Sequence, residues 1–197
     1  MRKPTFYEIK NVMTSLDMKI FTKPFDMNLG AIRTIDNKAN TFNDWIFMFY
    51  HDKQGNICGV VEEGTTDAGL YYRTHPMTPK GTCIIAHSRQ YRGAFTYMEV
   101  GGHRGQEAFR QTGGIDYYLD NNKDEYLDFV NLVLNKIFNT NGHDMGTLGN
   151  KVNNWSAGCW GAIQRIMDKL YLLAKLQIKH GLGAKFTFTM LHENDFK

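Results

Sequence analysis

The sequence predicts one α+β domain dominated by strands, and three observations carry that expectation. Short aromatic and β-branched runs recur from Trp45 to Asp120, each closed by Gly-, Asn- or Asp-rich text. After Gly161 the pattern changes. Ile163, Ile166, Met167, Leu170, Leu173 and Ala174 stand three and four apart, the period of a helix with one buried face. KFTFTMLHE (Lys185–Glu193) then returns to alternation. Strands at this spacing suit a twisted sheet or a small barrel-like sandwich, with one long helix near its end.

Residues 1–42 carry scattered Asn, Thr and Asp and read as an irregular lead-in, which leaves 43–197 as the folded body. WIFMFY (Trp45–Tyr50) and ICGVVEE (Ile57–Glu63), separated by HDKQGN, form a predicted hairpin. GLYYRT (Gly69–Thr74) and GTCIIAHS (Gly81–Ser88) read as further strands, followed by two segments over 91–114 and by IDYYLD (Ile115–Asp120). Asp120–Asp128 places oxygen-bearing side chains at alternate positions, as a calcium loop does. Glu125 occupies the position that needs glycine and Asn131 the one that needs glutamate, so the stretch reads as a solvated Asx-rich turn. Residues 126–142 fit a helix or a strand equally well. An Asn/Gly loop over 142–154 leads to Cys159, where the long helix is expected to start; His180 and Gly181 suit its end.

Among 197 residues, 23 Lys and Arg against 20 Asp and Glu leave a net charge of only +3, with no basic run to follow a nucleic acid. No apolar stretch approaches the roughly 18 residues a membrane helix requires. The opening residues lack the apolar core and cleavage site of a secretory signal. Three cysteines cannot all pair with one another. Cys58 and Cys83 sit in apolar, strand-like text as buried thiols, which suits synthesis in a reducing compartment. Neither a cofactor nor a metal site is expected.

The chemistry is concentrated in NNWSAGCWGA (Asn153–Ala162). A thiol at a helix N-terminus meets free backbone N–H groups and the positive end of the helix dipole, both of which favour thiolate. Gly158 permits close approach, and the N–H groups of the turn can hold the oxyanion formed when sulfur attacks a carbonyl. Cys159 is therefore the candidate nucleophile. His143, at the start of the loop returning to Cys159, is the best-placed base. His103, in GGHRG, is the alternative base.

A histidine, a Gly/Asn loop and Ser156-x-Gly158-Cys159 together resemble the catalytic signature of the L,D-transpeptidase catalytic-domain family. Met77–Ile85 (MTPKGTCII) is similar to the Thr-Pro-x-Gly stretch that precedes the signature there. The likeness spans roughly Trp45 to Phe196. It is greatest to small phage-type members that carry Trp-Ser-Ala-Gly-Cys and an upstream Tyr-Arg-Gly, here Tyr91, Arg92 and Gly93. The resemblance implies an L,D-transpeptidase-like sandwich or barrel over 43–197, with Cys159 as nucleophile, His143 as base and an oxyanion hole around Gly158 and Cys159. Ser156 belongs to the same motif.

Departures from the family pattern shape the expected reaction. Ala157 replaces the motif histidine, and Trp160 and Gly161 stand where the family has an apolar residue and an arginine, so its carboxylate anchor is missing. Arg92 and Arg104 are candidate replacements, and Trp155 and Trp160 candidate groove walls. The resemblance implies a peptidoglycan stem peptide as partner, with neither nucleic acid nor membrane, and hydrolysis in preference to cross-linking. The protein is expected to be made in the cytoplasm without a signal peptide and to reach the wall through lysis, phage delivery or effector secretion. The alternative is a non-catalytic wall-binding or virion structural module that retains the fold.

Overall fold

The computed structural model describes residues 1–146 and 150–197; the central part of the predicted 142–154 loop lies outside them. In chain order the elements are α1 (Phe6–Ser15), β1 (Asn28–Arg33), β2 (Asp44–His51), β3 (Ile57–Gly64), α2 (Leu70–Thr74), β4 (Thr82–Ile85) and β5 (Arg89–His103). There follow β6 (Gln106–Gln111), β7 (Ile115–Asp120), β8 (Val133–Lys136), β9 (Gly142–Asp144), β10 (Trp160–Ala162), α3 (Gln164–Lys179), β11 (Lys185–His192) and a terminal 3₁₀ turn, Glu193–Phe196. The fold is α+β and strand-rich, as expected.

Eight strands form one sheet in the order β10-β9-β6-β5-β11-β1-β2-β3, and β4-β7-β8 form a smaller one. The ends of the large sheet meet. Thr65 N–H donates to the Gly161 carbonyl (2.8 Å) and Gly161 N–H to that of Thr65 (2.9 Å), which brings the sheet close to a closed barrel. Side chains alternate across it as strand geometry requires. Ile46 and Met48 join the main core with Phe95, Phe109, Phe186, Phe188 and the apolar stripe of α3, while Phe47 and Phe49 point the other way, onto Ile9, Val12 and Met13 of α1. Buried Arg33 ties the small sheet to the barrel: it donates to the Ile85 carbonyl of β4 (2.7 Å) and to Asp67 (3.2 Å).

Several expectations are corrected. Residues 1–42 are not irregular, since α1 and β1 lie within them and β1 pairs with both β11 and β2. GLYYRT contains a short helix, not a strand. Its Arg73, fully buried, reaches the Asp120–Asp128 turn, where it meets the Asp120 carboxylate (2.7 Å), the Asn122 amide oxygen (3.3 Å) and the carbonyls of Asp124 (3.3 Å) and Tyr126. A guanidinium thus gathers the oxygens around which a calcium loop would close. The ambiguous 126–142 segment forms only the short edge strand β8, with Leu132, Leu134 and Ile137 exposed.

The helix does not begin at the cysteine. Residues 160–162 instead form β10, parallel to β9, and α3 starts at Gln164. Trp160 dictates this arrangement. Its indole is fully buried, stacked on Phe188 with centroids 4.8 Å apart, and packed where a Cβ on Gly142 would come within 2.1 Å of the ring.

Candidate active site

Three strands of the large sheet assemble the site, β9 and β10 side by side and β5 on the far side of β6. His143 is the middle residue of β9, Cys159 immediately precedes β10, and His103 ends β5, whose partner β6 pairs with β9. A ring nitrogen of each histidine and the Cys159 sulfur all lie within 4.8 Å of one another. The two imidazoles are stacked, centroids 4.0 Å apart and planes 3° from parallel. The structure therefore gathers the candidate nucleophile with both candidate bases.

Hydrogen bonds fix what each ring can do. His143 Nδ1 lies 2.6 Å from the Asp144 carbonyl, an acceptor only, so Nδ1 carries the proton. Its Nε2 is then a lone-pair nitrogen, and it is buried without a partner. His103 is the reverse. Asn141 accepts the Gln111 N–H through Oδ1 (2.9 Å), which turns its Nδ2 to donate to His103 Nδ1 (3.1 Å). With Nδ1 accepting, the proton of neutral His103 sits on Nε2.

The electrostatics reverse the expected ionisation. Burial pushes the Cys159 thiol up to about 11, only partly offset by the Asn141 and Ala157 backbone N–H groups and the Arg104 guanidinium. Lacking a helix end at its position, Cys159 loses the dipole that was to favour thiolate. Burial, then the neighbouring His103, lowers His143 to about 4. Burial and Arg104 also hold His103 below its ordinary range. The resting pair is a neutral thiol beside a neutral imidazole, so the thiol proton must leave during attack.

Cys159 opens into a cavity of about 390 Å³ whose walls include His103, Arg104, Trp155, Phe138 and Met77. His143 is not among the wall residues. Arg104 carries the only full charge among the wall residues described. Exposed Trp155 lines the cavity. Trp160 belongs to the core, Tyr91 is buried with its hydroxyl on the Ala86 carbonyl (2.6 Å), and Arg92 lies over the Phe21 ring (5.4 Å); none of the three lines the cavity.

Ser156 and Gly158 shape the turn. Ser156 Oγ donates to the Cys159 carbonyl (2.8 Å) and accepts the Gly158 N–H (3.1 Å), so that N–H is not free for an oxyanion. Gly158 has φ +120°, and a Cβ there would come within 2.7 Å of the Cys83 carbonyl. Sequence reasoning missed Asn141 and Gln111. The Gln111 Oε1 accepts from the N–H groups of Phe138 (3.2 Å) and Thr140 (3.1 Å), which pins the wall segment beside Cys159. An Asn in FNTNG and a Gln in a strand carry no local signal of such roles.

Compared with protein-family models, with curated proteins and with solved structures, the chain gives no match.

Proposed function

We propose that this protein is a cysteine acyl-enzyme that hydrolyses peptidoglycan stem peptides, a phage-type wall hydrolase of the L,D-transpeptidase kind. The observation that carries the chemistry is the buried, unpartnered Nε2 of His143 in the cluster with the Cys159 sulfur at a cavity. The resemblance in the cysteine motif carries the substrate class.

In this reading His143 Nε2 takes the thiol proton as Cys159 Sγ attacks the peptide carbonyl. The C–N bond breaks, the leaving amine takes the proton from His143, and a thioester remains. Water attacks that thioester, again losing its proton to Nε2. The acid is released and the thiol restored. With no arginine in the motif to anchor an acceptor's carboxylate, water is the favoured second nucleophile.

A metal site is the second reading, favoured by three soft or borderline donors within 4.8 Å. The donor set counts against it, because the His103 Nδ1 lone pair is held by Asn141 and Nε2 carries the proton. The deciding experiment incubates the protein with defined muropeptides and reads the products by mass spectrometry. Hydrolysis that Cys159→Ser abolishes is the expected result. Abundant 3-3 cross-linked dimer would point to transpeptidation, and no change in any muropeptide to the non-catalytic module.

A further inference from the structure

We infer that His103 is the oxyanion donor of the site: its Nε2–H, presented by a neutral imidazole, holds the negative oxygen of the tetrahedral intermediate while His143 alone handles the proton. This rests on the acyl-enzyme reading and assigns to His103 a role different from that of a base.

Three observations carry it. The Asn141 amide, oriented by Gln111 N–H, occupies His103 Nδ1 and leaves Nε2 as the protonated nitrogen. His103 lines the cavity that a substrate would enter, whereas His143 does not. The Gly158 N–H, one of the donors the turn was expected to offer, is taken by Ser156 Oγ, which leaves a place for a side-chain donor beside the sulfur. Burial and Arg104 lower the pKa of His103, which favours the neutral ring whose Nδ1 can accept from Asn141. No proton is transferred. The bond strengthens as the carbonyl oxygen gains charge, which is what makes such a donor catalytic. Asn141 is the positioning residue.

The test separates attack at a carbonyl from simple reaction at sulfur. Acetylation of Cys159 by 4-nitrophenyl acetate passes through an oxyanion; alkylation by iodoacetamide does not. Both are followed at Cys159 by peptide mapping. His103→Ala should slow acetylation on the order of 10²–10³-fold, with far less effect on alkylation, and His103→Gln, which keeps an N–H donor, should restore part of the loss. His143→Ala should slow acetylation as well, through loss of the base. Independently, ¹⁵N NMR of the wild type should show His103 protonated at Nε2, with Nδ1 protonation appearing in Asn141→Ala.

Equal slowing of both reactions in His103→Ala would make His103 a base and overturn the inference. Unchanged acetylation, or a wild-type His103 protonated at Nδ1, would overturn it too. Acetylation that depends on His103 without cleavage of any muropeptide would uphold the donor and sink the peptidoglycan reading. A Cys159 that takes up no acyl group at all would overturn both.

Discussion

The rings of His103 and His143 lie face to face at 4.0 Å although their strands, β5 and β9, do not pair and are separated by β6. Two imidazoles so placed resist acquiring a proton each, since the second charge would sit against the first in a largely dry site.

A pH effect on stability follows. The unfolded chain binds a proton at His143 near pH 6.5, whereas the folded chain refuses it until about pH 4. The unfolded state therefore holds more protons between those values, and His143 withdraws stability as pH falls through that window. His87, lowered to about 4 by burial and Arg33, acts in the same sense. Asp67, held high by burial and by Asp44, acts in the opposite sense, so the measurement is a difference between variants. Melting temperatures of wild type and His143→Gln should converge on acidification. A gap constant from pH 7 to 4 would show that His143 is not held neutral.

The thiol should announce its own state. Iodoacetamide modification of Cys159 should rise with pH toward about 11, without an acidic plateau. Cys83, pushed up to about 12 and buried, should react more slowly still, and half-buried Cys58 should be labelled first. This reverses the selectivity expected of a helix-terminal thiolate. A Cys159 labelling rate already at its maximum near pH 5, read by peptide mapping, would establish a preformed thiolate.

Arg73 should be a keystone of stability. Arg73→Met strands the buried Asp120 carboxylate and frees the oxygens of the 120–128 turn; breaking a buried pair in this way costs about 3–5 kcal/mol. Lys38→Met, which removes the exposed pair with Glu125, should cost less than about 1 kcal/mol. Chemical denaturation of the two variants compares them directly. Similar losses would mean that the turn holds itself without the guanidinium.

The strands from Trp45 to Asp120 were legible because their apolar runs, aromatic or β-branched, are closed by turn residues. β1 was not: all six residues of NLGAIR are buried, so no alternation marks it, and Asn28, Gly30 and Arg33 break what would have been an apolar run. α1 did leave a readable trace in Thr5 and Glu8, which form a capping box. Trp160–Ala162 continues smoothly into the helical pattern, and only the pairing with β9 and the burial of the indole separate strand from helix. Of the cluster, Cys159 was singled out by its motif and by a helix start that the structure moves to Gln164, His143 by the loop leading to Cys159, and His103 by its flanking glycines. The tautomers were not, because they are set by Asn141 and by a carbonyl whose positions exist only once β6, β9 and β10 lie side by side.

The hydrogen bonds between Thr65 and Gly161 join the β2–β3 hairpin to the strand that follows Cys159. Closing the barrel and assembling the cluster are in that sense one event. Cys159 and His143 come side by side only where β9 pairs with β10, so the cluster has no existence apart from that pairing. The same seam passes two residues from Cys159 and through Gly161, the pairing partner of His143, so whatever loosens the closure of the barrel is felt directly at the cluster.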